Sequence, residues 1–336
     1  MPIGEAQGKV LGHNVADAAG RPALRKGRPL SAADVDLLRS LGRTLVYVAE
    51  PSPSDVHEDT AARRVAEAAG GAGLRMVGPG AGRANLVSTT LGLLRVDVAR
   101  LLQINEGEGI TIATALSNTA TRAGQVVATI KVIPFAVPEA AVRAAESTAQ
   151  DGGALLRVDA LPVRRVALLL SGSASAEQRV VRAFTPPLRA RIEALGSKLE
   201  AVSYVPLGDE AGEATLAEGL RRAAADGVFL ILLAGETAIV DRHDIAPRAL
   251  EGAGGDVVAF GAPVDPGNLL LLGYLGGRAV VGAPGCSRSA KPNVIDMVLP
   301  RLLAGDRLGR ADLAALGHGG LLEDVPERPM PRQEVG

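Results

Sequence analysis

In the second half of the chain, aliphatic runs alternate with segments of helical composition. Residues 166–170 (VALLL) form a short aliphatic run and predict a strand. Residues 176–195 read as helix, with an interruption expected at Pro186-Pro187 because proline removes an intrahelical donor. A second strand is predicted over 199–205. A strong helix follows over 213–225 (EATLAEGLRRAAA), ending near Gly227. Residues 228–233 (VFLILL) are apolar without a break, the pattern of a strand covered on both faces. A helix begins at 245–250 with Pro247 in its first turn. Strands at 256–260 and 278–281 complete the set, and a last helix over 293–303 is expected to be disturbed at Pro300. This order predicts an α/β fold: an open, largely parallel sheet with helices on both faces, in three layers.

The first half has a different rhythm. Residues 10–15 and 25–30 are short, turn-flanked segments. Ser31-Ala32-Ala33-Asp34 starts a helix in the manner of a capping box, with Asp in the usual Glu position, and the helix runs to Gly42. A strand is predicted at 44–48, a helix at 58–69, and strands at 110–115 and 126–133, where β-branched residues are dense. This mixture predicts a smaller α+β domain over 1–150. Gln150-Asp151-Gly152-Gly153 opens an expected linker at 151–160. The α/β domain is expected over 161–323, followed by a poorly ordered tail at 324–336.

Composition narrows the function classes. A chain of 336 residues suits two domains. It is 47% hydrophobic but only 2% aromatic, with no Trp, so the core must be aliphatic. The formal net charge is −1, and three Tyr and four Phe offer no stacking platform, so no nucleic-acid partner is expected. The single cysteine, Cys286, allows no internal disulfide and fits a reducing cytoplasm. His13, His57, His243 and His318 lack metal-ligand spacing. The first ten residues contain no apolar signal core, and the densest apolar run is too short to span a bilayer. The expectation is a soluble protein with no membrane partner.

Ligands of open α/β sheets bind at the carboxyl ends of strands. Three loops are expected to follow such ends and to converge at one edge. The first runs from Gly235 through Glu236 and Thr237 to Asp244. Asp241 and Asp244, three apart, can hold a divalent cation such as Mg2+ or hydrogen-bond a polar ring; spacing alone favours Asp244 as the cap of the next helix and leaves Asp241 open. The second runs from Gly261 to Asn268 and includes Pro263, Pro266 and Gly267, and it also reads as a plain tight turn. The third holds Pro284, Gly285, Ser287, Arg288, Ser289 and Lys291. Two cations beside a Pro-Gly turn suit a phosphate, and they also suit an ordinary solvated surface. Cys286 has no histidine near it in sequence and reads as a bystander thiol. Residues 78–85 (GPGAGRAN) lack the Lys-Ser/Thr of a phosphate loop and read as a turn, and Gly317-His318-Gly319-Gly320 reads as a loop.

Taken together, GETAIVDRHDIAP (235–247), GAPVDPGN (261–268) and GAPGCSRSAK (282–291) resemble, in order, three marks of the molybdopterin-binding domain family. That family includes molybdopterin adenylyltransferase, molybdopterin molybdenumtransferase and the competence-damage-inducible proteins. EAQGKVLGHNV, KGRPLSAADVDLL, GRANL and QVVATIKVIPFAVP resemble the front unit of members fused to a nucleotidyltransferase, so the resemblance covers about residues 4–330. No nucleotidyltransferase domain is expected after Gly336. The resemblance implies a homo-oligomer, with molybdopterin or a nucleotide-linked form as ligand. Mg2+ and ATP or CTP are implied if the chain is an enzyme, and a separate nucleotidyltransferase or molybdenum hydroxylase as partner. Asp241 and Asp244 would be catalytic or metal-binding, and the other residues of the three loops would hold the ligand. A non-catalytic carrier and a nucleotide pyrophosphate hydrolase are the alternatives. There are departures from the family pattern. Glu236 stands where the family has glycine, Ala238 where it has Gly or Ser, and Cys286 and Arg288 where it has small residues or proline. The family's Thr/Ser-Gly-Asp/Glu motif survives only as Ser171-Gly172-Ser173.

Overall fold

The computed structural model describes residues 1–208 and 212–322. The tail expected at 324–336, and the last residue of the expected α/β domain, lie outside the described residues. The chain divides into two compact units, one of residues 1–90, 94–117 and 121–159, the other of residues 91–93, 118–120 and 160–336.

The first unit contains a four-stranded antiparallel sheet. Its order is Leu74–Gly80, Arg83–Ser88, Val126–Val132, Ile110–Thr114. Helix Glu58–Ala69 packs on the sheet, helix Glu139–Gln150 packs against that helix, and Ala62, Val65, Ala66, Val142, Ala145 and Ala149 share the buried core. Ser31 and Asp34 form the reciprocal capping box that their spacing implies, at the start of helix Ala32–Ser40. The strand predicted at 44–48 is reduced to Val48–Ala49. The glycine-rich stretch 78–85 ends the first sheet strand, turns at Ala81-Gly82 and begins the second, and carries no phosphate-loop helix. Residues 156–160, expected to lie within a linker, form strand Leu156–Ala160 because Leu156 and Val158 belong to the buried core of this unit.

The second unit is built on one six-stranded sheet. Its strands are β1 (Arg165–Gly172), β2 (Lys198–Pro206), β3 (Leu230–Gly235), β4 (Asp256–Phe260), β5 (Leu271–Leu275) and β6 (Arg278–Gly282). The spatial order is β2-β1-β3-β6-β5-β4. The first four run parallel, whereas β5 is antiparallel to both β6 and β4. The helices are α1 (Glu177–Ala194), α2 (Gly212–Ala225), α3 (Ile245–Gly252), α4 (Val294–Ala304) and α5 (Arg310–Ala315). Alternation within the apolar runs assigns the layers. Val166, Leu168, Leu170, Leu230 and Leu232 face α1 and α4, while Ala167, Leu169, Ile231 and Leu233 face α2 and α3. Each fully buried leucine contributes on the order of 1.5–3 kcal/mol of transfer free energy, so a sheet apolar on both faces needs both helical layers. This is the expected three-layer α/β/α domain.

Two sequence expectations are corrected in this unit. β5 was not among the predicted strands; it is a fully buried run joined to β6 by the two-residue turn Gly276-Gly277, both residues having positive φ. Neither α1 nor α4 is interrupted by its prolines. In α1 the stripe Val180, Phe184, Leu188 and Ile192 stays buried across Pro186-Pro187, and that packing outweighs two missing backbone donors.

Candidate functional site

Because β4 is antiparallel to β5 and β5 to β6, the carboxyl ends of β3, β4 and β6 point the same way. The loops at 235–244, 261–268 and 283–293 therefore leave one edge of the sheet. Hydrogen bonds tie the elements at their bases together. Ala283 N–H donates to the Leu233 carbonyl at 2.7 Å, and Val294 N–H donates to the Pro266 carbonyl at 3.2 Å.

The first loop surrounds a cavity of about 310 Å³ whose lining includes Leu233, Thr237, Ile239, Asp244 and Ala283, with Ser171 from the end of β1. Its walls are mostly aliphatic, and Asp244 is the one ionisable group among the described lining residues. Among the described residues no cation lines it, and neither the 261–268 loop nor residues 284–291 reach its wall.

Glu236 leaves this cavity and turns to the end of β1. Its Oε2 accepts from Ser173 N–H and from Ser173 Oγ–H, both at 2.8 Å, and its Oε1 accepts from Arg179 Nη2 at 2.5 Å. Tyr204 Oη donates to the Ser173 carbonyl at 2.6 Å, fixing the same turn. The Ser173 backbone N–H, then its hydroxyl and the Arg179 guanidinium, hold the Glu236 carboxyl below the usual carboxylate range. An internal carboxylate thus satisfies donors that would otherwise suit an exogenous oxyanion.

Asp241 and Asp244 fold back on their own turn. Asp244 Oδ2 accepts from Val240 N–H at 2.7 Å and Asp241 N–H at 3.0 Å, and Asp241 Oδ1 accepts from His243 N–H at 2.6 Å. Asp244 occupies the N-cap position of α3 without capping it through its side chain. Among the described residues no group of three His, Cys, Asp or Glu side chains is placed to hold a metal ion.

In the second loop Pro263 is exposed, Pro266 is half-buried, and Gly267 is buried against Val294. Gly261 N–H pairs with the Leu270 carbonyl at 2.8 Å, closing the loop at its base. In the third loop Pro284 is buried and Gly285–Arg288 form a 3₁₀ turn. Arg288 Nε donates to the Gly285 carbonyl at 2.9 Å, and its guanidinium lies 5.6 Å from the Phe184 ring centroid, so it is tied to its own loop and to α1. Ser289 Oγ accepts from Lys291 N–H at 3.1 Å. Ser287 is fully buried, and its Oγ has no hydrogen-bond partner among the described residues. Burial pushes the Cys286 thiol up.

Sequence reasoning missed Arg191, Arg179 and Ser173 as parts of this edge. Arg191 of α1 donates to the Lys291 carbonyl at 2.8 Å and to Asp296 at 2.9 Å, so it anchors the third loop. It lies about a hundred residues away in sequence, and no local spacing marks it. Ser173 was visible only as the end of Ser171-Gly172-Ser173.

A family described as Domain of unknown function (DUF8806) matches residues 1–50. No curated protein matches the chain. Among solved structures, the chain is similar to a molybdenum cofactor biosynthesis protein from Pyrococcus furiosus, with 12% identity, 94% of this chain and 64% of that one covered, and a TM-score of 0.26. It thus spans 64% of that protein's length. A molybdopterin biosynthesis moea protein from Pyrococcus horikosii gives 12% identity, coverage of 90% and 74%, and a TM-score of 0.30. Molybdenum cofactor biosynthesis protein B gives 15% identity, coverage of 43% and 96%, and a TM-score of 0.31.

Proposed function

We propose that the second unit binds molybdopterin or a nucleotide-linked form of it, as a step in molybdenum cofactor biosynthesis. The observation that carries this is the aliphatic cavity of about 310 Å³ at the carboxyl edge of the sheet, framed by the first of three loops bearing the sequence marks described above. That volume lies at the low end of small-molecule sites, roughly 300–1,000 Å³. It suits one fused ring system rather than a whole dinucleotide. Thr237 and Asp244 would hydrogen-bond the ring's polar edge. Among the described residues the cavity has no cation, so the phosphate would leave it and lie along the edge toward Ser287, Arg288, Ser289 and Lys291, with the Gly285 N–H and the 261–268 turn beside it. A divalent cation at Asp241 and Asp244 would need phosphate oxygens of the ligand to complete its coordination.

Glu236 favours a second reading of the same site, carriage without catalysis. Its carboxylate already fills the Ser173 and Arg179 donors. The first loop therefore offers no free cradle for the oxyanion of a nucleotidyl-transfer reaction. The carrier would hand its ligand to a separate nucleotidyltransferase or molybdenum hydroxylase.

The test is a fluorescence titration of the full chain with molybdopterin, for wild type, Asp244→Ala and the double variant Arg288→Ala/Lys291→Ala. Loss of a charge-assisted contact is expected to weaken binding about tenfold to a hundredfold. Absence of binding by the wild type would refute the proposal. Turnover with molybdopterin, ATP or CTP and molybdate would then separate the transferase from the carrier.

A further inference from the structure

The opposite edge of the same sheet carries a second concavity. Its volume is about 760 Å³, and it lies at the amino ends of β1, β3 and β6, beside the carboxyl end of α4. Among the described residues four guanidinium groups line it, those of Arg164, Arg165, Arg278 and Arg307, against one carboxylate, Asp306, which Arg301 binds at 3.1 Å.

Two of the four are engaged in the fold. Arg165 pairs with Glu200. Arg278 Nε donates to the Val228 carbonyl at 2.9 Å, stitching β6 to the start of β3. The other two are held by their faces. The Arg164 guanidinium lies 3.9 Å from the Phe229 ring centroid, and that of Arg307 lies 4.0 Å from the Tyr274 centroid. Stacking orients a guanidinium while leaving its N–H edge available. Neither makes an ion pair among the described residues, and the Arg164 Nε is buried without a hydrogen-bond partner. An arginine stays charged when desolvated, so a buried, unmatched donor on it is unfavourable until an acceptor arrives. The carboxyl end of α4 accounts electrostatically for one nearby cation, not for four.

We propose that this amino-edge cleft is a binding site for a small, multiply charged phosphate anion of the pyrophosphate or triphosphate type. Paired N–H edges match phosphate oxygens in bidentate fashion. Rigid stacking lowers the entropy lost on binding. The ring faces among the described residues of the cleft, those of Phe229 and Tyr274, each carry a stacked arginine, so recognition falls on the phosphate chain rather than on a base. The site shares no residue with the carboxyl-edge cavity and does not depend on what that cavity binds.

The experiment is isothermal titration of the full chain with inorganic tripolyphosphate at low and at moderate salt, for wild type, Arg164→Gln, Arg307→Gln and their combination. Binding should weaken as salt rises, each single variant should lose about tenfold or more, and the double variant should show no saturable heat. Arg164→Lys and Arg307→Lys keep the charge but not the fork. If the glutamine variants melt early, the lysine variants should show an intermediate loss. No wild-type binding, or variants that bind as wild type does, would overturn the proposal. So would loss of binding in Arg288→Ala alone, which would move the anion to the other edge. A short polyglutamate peptide binding as tightly as tripolyphosphate would overturn it in favour of an acidic protein segment.

Discussion

Replacing Gly267 by alanine tests how the carboxyl edge is assembled. Gly267 has φ +139°, and a Cβ there would lie 2.5 Å from both Cβ and Cγ1 of Val294 and 2.9 Å from its backbone nitrogen. None of these atoms is the far end of a flexible side chain. Val294 is fully buried and opens α4, where Asn293 and Asp296 form a reciprocal capping box. Its N–H also donates to the Pro266 carbonyl, so turn and helix start cannot separate without losing that bond. The backbone strain amounts to about 1–3 kcal/mol, and the overpacking adds about 1–3 kcal/mol. Gly261→Ala is the matched control. Its φ is +82°, and the nearest atom to a Cβ is the Asn268 carbonyl oxygen at 3.7 Å, so only the left-handed strain applies, about 1–2 kcal/mol. Urea unfolding should therefore rank wild type above Gly261→Ala, and Gly261→Ala above Gly267→Ala. The chain has two units, so the transition is best followed by hydrogen exchange of peptides from β6 and α4. A Gly267→Ala protein as stable as Gly261→Ala would show that the turn and α4 are not interlocked.

Two further outcomes are expected. In the first unit, hydrogen bonds from Arg64 and then Arg143 hold the Glu139 carboxyl down to about 2. Its contribution is therefore whole above the unfolded value of 4.5 and lost as pH falls toward 2; Arg64→Gln should flatten the stability–pH curve in that window, and a wild-type curve without slope there would contradict this. Cys286, its thiol raised by burial, should react with an aromatic disulfide reagent at neutral pH at least about tenfold more slowly in the native protein than in urea, and equal rates would contradict the burial argument.

Much of the fold is legible in local chemistry. The run 228–233 is apolar at every position because the strand it contributes to, β3, is covered on both faces. The helix predicted over 58–69 is the observed Glu58–Ala69, and the Ser31–Asp34 box forms as its spacing implies. The three candidate loops were legible as turns after apolar runs. What failed was any inference that needed a distant partner. β5 was hidden because its leucines follow the Pro266-Gly267 turn directly, and its antiparallel direction is set by pairing with β6. The prolines of α1 were overweighted because a breaker acts within one turn, whereas the stripe from Val180 to Ile192 draws on the whole sheet face.

The sequence by itself determined most strands and helices of the second unit, the aliphatic core and the glycine and proline turns at the carboxyl edge, because period, propensity and turn chemistry act over a few neighbouring residues. Only the tertiary structure decided which charges meet. The adjacency of β1 and β3 brings Glu236 to Ser173 and Arg179, across about sixty residues of chain. α1 carries Arg191 to the third loop, and the amino edge gathers four arginines from three separate segments around one cleft. Charge pairing is fixed by distance in space, and distance in space is a property of the folded sheet, not of the order of residues along the chain.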